Sequence, residues 1–528
     1  MSPTKNRAGS EPLALRGGGL SQRLAAVSAE RLAGIRRGIE KEGLRVLPNG
    51  QLALTPHPQV LGSALTHASI TTDYSESQLE LITGAHPSVR QCLDELTELH
   101  QFVHRVLQQQ QPAGELLWAS SMPGQLPPDE TIPLGRYGSS NVGRAKSIYR
   151  MGLGHRYGRR MQTISGIHYN WSLPGVGSDE YFGLIRNFRR QAFVLLYLFG
   201  ASPALCPCFV QGREHGLQPL GDAGRALYLP HATSLRMGRL GYQSEAQASL
   251  RVSYNGLQGY ADSLHEALTR PYPAYEAIGL RSLGGDYNQL GTSLLQIENE
   301  FYGTIRPKRT VRSGERPLHA LRERGVEYVE VRLMDIDPFV PAGITAQTMR
   351  LLDVFLLHCL LSDSPPDTPE EIAALKHNQQ LTAERGRDSG LRLARGSEQV
   401  LLTEWGAEIL AECQPIAAAL DAALGGADYA QAVLDAQASL AAPHTTPSAH
   451  VLAELTQQFD GDFTAFARAR SQSARDVLLG LPWTEAQQQR YLQLAEQSLA
   501  AQQAIERADD LPFEQWRERY MAVQELVA

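Results

Sequence analysis

The feature that most constrains the fold of this chain is the strict alternation of apolar and polar residues in several short segments. The segment GIHYNWSLP places Ile167, Tyr169 and Trp171 on one side of an extended chain and His168 and Asn170 on the other. Because successive side chains of a strand point to opposite faces, this pattern predicts strands with one buried and one polar face. Antiparallel sheets commonly contain such strands, so the sequence predicts an antiparallel sheet.

Carboxylates are concentrated on the polar side of four further segments, GIEKEGLRV, SQLELIT, LLQIENEFY and VEYVEVRLMD. These acids are Glu40, Glu42, Glu80, Glu298, Glu300 and Glu330. A solvated strand face explains any one segment alone, but the carboxylates converge if the strands share a sheet. Two carboxylates about 4 Å apart repel by roughly 4 kcal/mol at an effective dielectric constant of about 20. Either protons or a cation must then neutralise some of them.

The ligand chemistry of these side chains predicts a site for a divalent cation and a phosphate group. Oxygen ligands favour Mg²⁺ or Mn²⁺ over zinc, and Mg²⁺ usually shares its ligands between carboxylates and substrate phosphates. The segment YGTIRPKRTVRSGE and Arg332 supply cations that can hold phosphate. A Walker A loop is missing, because Arg144 and Ala145 stand where GSSNVGR would need Lys and Ser or Thr.

The composition narrows the class of protein further. The 528 residues have a formal net charge of -7, without the basic surplus of a nucleic-acid binder. The sequence contains no run of about eighteen apolar residues, so no membrane span is predicted. Its 5 cysteines are too scattered for a disulfide framework, and CPC at 206–208 lacks the usual zinc spacing. We therefore expect a protein of the reducing cytoplasm that binds neither nucleic acid nor a membrane.

The order of the segments predicts three regions. Residues 1–21 are expected to be a flexible tail, 22–365 a domain built on the antiparallel sheet that carries the predicted metal and phosphate site, and 366–528 a mostly helical region. At the start of the last region, Thr368 has the position of a helix N-cap, and Thr484 repeats this pattern later.

Local patterns within residues 22–365 predict individual elements of secondary structure. Residues 22–36 predict one short amphipathic helix, and Asn49-Gly50 predicts the turn of a β-hairpin. LLQIENEFY is predicted to be a strand of the sheet. The sequence leaves open whether Glu298 and Glu300 are metal ligands or support them.

Eight segments in order from about residue 31 to 362 resemble the proteobacterial type of glutamate–cysteine ligase. They are RGIEKEGLRV, LGSALTHASITTDYSESQLELIT, YGSSNVGRAKSIYRMGL, RYGRRMQTISGIHYNWSLP, YLFGASPALC, ATSLRMGRLGY, LLQIENEFYGTIRPKR and GVEYVEVRLMDIDPF. The resemblance implies an α+β fold of the glutamine-synthetase type, with a curved antiparallel sheet forming a funnel and helices outside it. It implies that ATP phosphorylates the γ-carboxylate of L-glutamate and that the amine of L-cysteine displaces the phosphate. It also implies a monomer with feedback inhibition by glutathione.

The resemblance also implies roles for single residues. The implied metal ligands, for Mg²⁺ or Mn²⁺, are Glu40, Glu42, Asp73, Glu80, His168 and Glu330. Arg332 is implied to neutralise the transferring phosphoryl group, with Arg150 as a second catalytic residue. The residues that resemble the cysteine pocket are Tyr149, Leu153, Gln162, Tyr242 and Tyr302. Arg236 is implied to hold a substrate α-carboxylate, and Lys308 and Arg309 the nucleotide.

Two other functions stay open on the sequence alone. A related carboxylate–amine ligase would keep the metal site and use a different amine. A non-catalytic binding protein on the same scaffold would have lost metal ligands or Arg332, and the sequence shows no such loss.

Overall fold

A computed structural model describes residues 18–111, 114–241, 245–248, 250–312 and 314–526. Most of the expected tail, and Tyr242, lie outside the described residues. The strands are β1 (Arg36–Val46), β2 (Ile70–Thr72), β3 (Gln78–Ile82), β4 (Leu116–Leu117), β5 (Ile167–Ser172), β6 (Ala204–Leu205), β7 (Gln218–Leu220), β8 (Ala226–Tyr228), β9 (Ile305–Lys308), β10 (Tyr328–Met334), β11 (Arg392–Arg395) and β12 (Glu398–Leu401).

Helices surround the strands and make up most of the chain after residue 366. They are α1 (Leu20–Ala25), α2 (Ala29–Ala33), α3 (Val89–Gln108), α4 (Asn141–Tyr157), α5 (Ser178–Gln191), α6 (Phe193–Phe199), α7 (Glu245–Ala248), α8 (Leu257–Thr269), α9 (Pro273–Ile278), α10 (Pro317–Arg324), α11 (Ala346–Leu361), α12 (Pro369–Arg385), α13 (Leu402–Leu424), α14 (Asp428–Ala441), α15 (Pro447–Gln458), α16 (Phe463–Gly480), α17 (Glu485–Ala508) and α18 (Phe513–Tyr520). No helix of the described residues is both long and apolar enough to cross a bilayer.

The central sheet is antiparallel throughout and follows the order β2-β3-β1-β5-β10-β9, with β4 paired to the far end of β1. One face is buried under helices, and its apolar side chains come from alternate positions such as Ile39, Tyr169 and Val331. The intervening positions form the opposite face. The predicted architecture of an antiparallel sheet with surrounding helices is therefore confirmed.

The register of this sheet brings the predicted acids together. Glu40 pairs with His168 across β1 and β5, and Glu42 pairs with Glu80 across β1 and β3. On the other side of β5, Glu330 pairs with Asn170. Because paired residues of neighbouring strands point to the same face, all of these side chains share one surface.

The prediction of a strand over LLQIENEFY is wrong. This part of the chain is irregular and contains a single 3-10 turn at Glu298–Glu300. Arg316 binds Glu298 at 2.8 Å, and Arg156 binds Glu300 at 2.8 Å. These buried ion pairs hold both carboxylates away from the sheet, so neither acid belongs to the polar face.

Two smaller predictions near the N-terminus need correction. Residues 22–36 form two short helices and the start of β1 instead of one helix. The turn at Asn49-Gly50 is present, with Gly50 at φ 88, but the return strand of the hairpin is reduced to a single bridge between Val46 and Leu52.

The C-terminal region is mostly helical, as predicted, with one hairpin formed by β11 and β12. Thr368 caps α12 by accepting a hydrogen bond from the Glu371 backbone, and Thr484 and Gln487 form a reciprocal capping box at α17. The boundary at residue 366 stays a prediction. One core cluster contains side chains from both sides of that boundary, among them Leu352 and Leu410.

Candidate active site

A cavity of about 610 Å³ lies over the polar face of the sheet. Thirteen of the residues predicted from the sequence line it, which are Glu40, Glu42, Asp73, Glu80, Tyr149, Leu153, Arg150, Gln162, His168, Tyr302, Lys308, Glu330 and Arg332. The sheet supplies the acidic floor, and α4 and the segment around Tyr302 supply walls.

His168 is the centre of the acidic floor. Its Nδ1 atom lies 3.1 Å from a Glu40 oxygen, and its Nε2 atom lies 3.6 Å from a Glu42 oxygen. Burial and Arg332 lower the pKa of His168, so the imidazole is neutral at pH 7. A neutral imidazole is the form that can bind a metal ion. Asn170 donates a hydrogen bond of 2.9 Å to the other oxygen of Glu40.

The acids of the floor differ in their affinity for protons. Burial and the nearby Asp73 raise the pKa of Glu42 to about 8, although its carboxylate also accepts a hydrogen bond from the Gly166 backbone. Burial and the surrounding acids, Glu40 first, raise the pKa of Glu80 well above its usual value. Without a bound cation these two groups hold protons more tightly than an isolated carboxyl group, as expected where carboxylates are crowded together.

Glu330 differs from Glu42 and Glu80 because two cations bind it, which favours its ionised form. Lys308 lies 3.0 Å from one of its oxygens and Arg332 lies 2.9 Å from the other. Burial opposes ionisation, but these two cations hold the pKa of Glu330 well below its usual value. The pKa of Arg332 is raised in turn, despite its burial, by Glu330.

The donor set of the floor fits a divalent cation. One carboxylate oxygen each from Glu40 and Glu80 and one His168 nitrogen lie within 4.8 Å of one another. Carboxylates in excess, one imidazole and no thiolate are ligands that suit Mg²⁺ or Mn²⁺.

Three cations of the cavity, Lys146, Arg306 and Arg312, were missed when single residues were assigned from the sequence. Lys146 precedes Arg150 by one turn of α4, a spacing that places both side chains on one helix face. Burial and Arg150 lower the pKa of Lys146 to about 8. Arg306 pairs with Glu330 in the sheet register and is only 6% exposed. Its alternation with Lys308 in β9 could have identified it.

Arg150 is positioned by its neighbours at the edge of the cavity. Its Nε atom donates to the Asp73 backbone carbonyl, and its guanidinium lies 4.5 Å from the centre of the Tyr137 ring. Tyr137 also donates a hydrogen bond of 3.0 Å to the Asp73 carbonyl. This arrangement fixes both Arg150 and the loop that presents the Asp73 side chain.

The described residues predicted to bind cysteine, a set without Tyr242, lie in the walls of the cavity. Tyr149 and Leu153 lie four residues apart on α4, and Gln162 lies in the 3-10 turn Met161–Thr163. Gln162 donates a hydrogen bond of 2.7 Å to the Tyr302 hydroxyl.

Arg236 lies in a smaller adjoining cavity of about 80 Å³, which shares His168, Tyr302 and Arg332 with the main one. Its guanidinium donates 2.9 Å to the Arg332 carbonyl and lies 3.6 Å from Asp335. A Cβ atom at Gly166 would collide with this guanidinium, so a larger residue there would displace Arg236.

Arg309 is the predicted residue that the structure places elsewhere. Among the described residues it is not part of the cavity lining. Its guanidinium donates to the carbonyls of Arg324 and Gly325 and lies 3.8 Å from Glu327. Its nucleotide role stays a prediction, as does the cysteine-binding role of Tyr242.

Comparison with known proteins identifies the family. The sequence profile of glutamate–cysteine ligases matches residues 22–382. The chain belongs to the glutamate–cysteine ligase family. The family resemblance predicted from the sequence motifs is thereby confirmed.

Individual relatives match over almost their full length. The chain is 46% identical to the glutamate–cysteine ligase of Alcanivorax borkumensis over 95% of this chain and 99% of the relative. It is 47% identical to the enzyme of the same name from Hahella chejuensis, with 93% and 96% covered.

Solved structures agree with this assignment. A crystal structure of glutamate–cysteine ligase from Francisella tularensis in complex with AMP matches with a TM-score of 0.86 and 35% identity, covering 92% of this chain and 97% of that one. A bifunctional glutathione synthetase from Pasteurella multocida has a similar fold, with a TM-score of 0.65 and 24% identity over 85% of this chain and 53% of that one.

Proposed function

We propose that the cavity over the acidic sheet face is where this ligase joins the γ-carboxyl group of L-glutamate to the amine of L-cysteine, using ATP. The family assignment gives the reaction, and one observation carries the placement. A floor of carboxylates and a neutral histidine opposes a set of cations from α4, β9 and β10 in a single cavity.

The acidic floor would hold Mg²⁺, or Mn²⁺ with the same oxygens. The proposed ligands are Glu40, Glu42, Asp73, Glu80, His168 and Glu330. When bound, the ions neutralise phosphate charge and align the nucleotide. Metal would compete with protons at Glu42 and Glu80, whose pKa values are raised, because a carboxylate binds metal in its ionised form.

Arg332 has the position of a residue that stabilises charge on the transferring phosphoryl group. It projects from β10 into the cavity, and Glu330 fixes its guanidinium. Such a cation lowers the barrier because it is already oriented before charge develops. Lys308, Arg306 and Lys146 provide further positive charge for the phosphates, and Arg150 serves as a second catalytic cation.

The proposed chemistry has two steps. An oxygen of the glutamate γ-carboxylate attacks the terminal phosphorus of ATP, which releases ADP and gives γ-glutamyl phosphate. The neutral amine of cysteine then attacks the acyl carbon, the C–O bond to phosphate breaks, and the amine loses a proton. Tyr149, Leu153, Gln162 and Tyr302 would hold the cysteine, and Arg236 a substrate α-carboxylate through its planar fork.

Phosphate release from ATP tests this assignment. Purified protein is assayed with Mg²⁺ and glutamate, with and without cysteine, beside a panel of other amines. Phosphate release that requires both amino acids, with γ-glutamylcysteine detected by mass, is the expected result. Turnover with another amine and not with cysteine would assign the chain to a related ligase. No turnover with any amine would favour a non-catalytic scaffold.

Two properties implied by the resemblance stay predictions, a monomeric state and feedback inhibition by glutathione. The reducing cytoplasmic environment expected from the scattered cysteines also stays a prediction. Sedimentation of the pure protein tests the first. A rate that falls with added glutathione and recovers with excess glutamate supports the second, with binding at the glutamate site.

A further inference from the structure

The segment CPC brings two cysteine sulfurs into contact far from the acidic floor. Cys206 follows β6, and Pro207 begins a 3-10 turn that ends at Val210. The turn places the sulfur of Cys206 2.6 Å from that of Cys208, and both are free thiols. A disulfide bond is about 2.05 Å long, so a small movement of either side chain would join them.

The exposure of Cys208 differs from that of the other cysteines. Cys92, Cys359 and Cys413 are buried, while Cys208 is half-buried. Cys208 opens onto a surface depression of about 420 Å³ that is also lined by Gln211 and Arg213. A small disulfide molecule therefore has room to reach the Cys208 sulfur. The buried Cys206 sulfur lies next to that of Cys208.

The electrostatics of the pair assign different roles to the two thiols. The hydrogen bond from the Cys206 thiol, together with Arg160, holds the pKa of Cys208 below its usual value. The same hydrogen bond and burial raise the pKa of Cys206. A thiolate is the attacking species in thiol–disulfide exchange, so Cys208 is the residue suited to attack first.

We propose that Cys206 and Cys208 are a redox-active dithiol that exchanges with low-molecular-weight disulfides. The Cys208 thiolate attacks one sulfur of a disulfide RSSR, the S–S bond breaks, and one RS⁻ leaves. Cys206 then loses its proton and attacks the mixed disulfide at Cys208, which releases the second RS⁻. The protein dithiol is oxidised to a disulfide by two electrons, and RSSR is reduced to two thiols. Both the amino-acid substrate and the dipeptide product of this ligase are thiols, so their disulfides belong to the class of oxidant required.

The dithiol is connected to the proposed cysteine-binding wall through Arg160. The Arg160 guanidinium donates to the Cys208 carbonyl, and its backbone carbonyl accepts a hydrogen bond of 2.7 Å from the Thr163 hydroxyl. Gln162 lies between Arg160 and Thr163 in the sequence and donates a hydrogen bond to the Tyr302 hydroxyl. Through these contacts, any change in the Cys208 backbone on closing the disulfide would be transmitted to this turn. This part of the proposal rests on the proposed function, whereas the dithiol chemistry does not.

The first experiment is a redox titration of the full-length protein. Samples are equilibrated at increasing ratios of glutathione disulfide to glutathione, quenched with acid, unfolded, alkylated and mapped by mass spectrometry. We expect the peptide with Cys206 and Cys208 to lose two hydrogen atoms and both alkyl groups over a defined range of ratios, while the other three cysteines stay alkylated. Full alkylation of both residues at every ratio would overturn the proposal.

Two serine variants assign the order of attack. Cys206→Ser should accumulate a mixed disulfide on Cys208, because the resolving thiol is missing. Cys208→Ser should react far more slowly than the wild-type chain. Equal rates for Cys208→Ser and the wild type would overturn the assignment of Cys208 as the attacking thiol.

The second experiment tests the connection to the substrate wall without turnover. Calorimetry measures the affinity for L-2-aminobutyrate, which has a methyl group in place of the thiol and cannot reduce the disulfide. Glutamate, Mg²⁺ and a non-hydrolysable ATP analogue are present. We expect a several-fold change in affinity between reduced and oxidised wild-type protein and none for Cys208→Ser. Equal affinities in the two wild-type states would overturn the connection, and the titration would still decide the dithiol chemistry.

Discussion

Two acidic regions with the same alternating sequence pattern have different surroundings in the folded protein. On the sheet face, Glu42 and Glu80 are crowded by other carboxylates, and burial with this crowding raises the pKa of each. In the turn Glu298–Glu300, each carboxylate has its own buried arginine at 2.8 Å. The difference distinguishes carboxylates that are each neutralised by a buried arginine from carboxylates that crowd one another, and the crowded arrangement is the one proposed to bind the metal.

The largest effect is expected from Arg332→Ala. Removing the guanidinium should lower kcat by about 10³-fold or more, because a preorganised cation at a phosphoryl group contributes on this scale. The fold should persist, since Glu330 keeps Lys308 as a partner. Steady-state kinetics, with circular dichroism as the check on folding, measures this. Arg90→Ala, at an exposed position on α3, is the matched control. Wild-type kcat in Arg332→Ala would remove Arg332 from the catalytic site.

Most of the sheet could be predicted because alternation is a local property of the sequence. Glu40, Glu42, Glu80 and Glu330 all lie on the expected face. The turn at Glu298–Glu300 could not be predicted, because Arg156, which binds Glu300, is 144 residues away in the sequence.

The residues of the site were likewise only partly predictable from local sequence patterns. Motif resemblance brought together residues from α4, the 3-10 turn at Gln162 and five strands, a grouping that no local pattern contains. Lys146 was missed because its partners become visible only when α4 is packed against the sheet.

A substitution in the turn Glu298–Glu300 should lower the stability of the protein. Glu300→Gln leaves Arg156 with a buried charge and weakens three hydrogen bonds, from Arg156, Tyr157 and the Gln296 backbone. Breaking a buried pair in this way costs about 3–5 kcal/mol of the free energy of unfolding, which urea denaturation measures. A change below about 1 kcal/mol would show that this pair is not a structural lock.

The pH dependence of stability should separate the wild type from Glu42→Gln. The pKa of Glu42 is about 8 in the folded, metal-free protein and near 4.5 when the group is unperturbed. Between these values the folded state binds more protons than the unfolded state, so this group's contribution to stability falls as pH rises. In the presence of a chelator, the wild type should lose stability relative to Glu42→Gln from about pH 5 to about pH 8. Thermal denaturation across this range measures the difference, and parallel curves would contradict the raised pKa.

The smallest effect is expected from Tyr302→Phe. The change removes the hydroxyl that accepts a hydrogen bond from Gln162 and leaves that amide without this partner. A loss of about 1–2 kcal/mol corresponds to roughly a tenfold rise in the KM for cysteine. The KM for glutamate should change less. Equal effects on both constants would place Tyr302 outside the cysteine pocket.

Binding of Mn²⁺ measured by electron paramagnetic resonance tests the central claim most directly, because bound Mn²⁺ loses the sharp signal of the free ion. The comparison uses the wild type, Glu80→Gln and Glu300→Gln at one pH, each checked for folding. If the crowded carboxylates form the metal site, the wild type and the folded fraction of Glu300→Gln bind Mn²⁺ alike, and Glu80→Gln binds it more weakly. Equal binding by the wild type and Glu80→Gln would contradict the assignment of the acidic sheet face as the metal site.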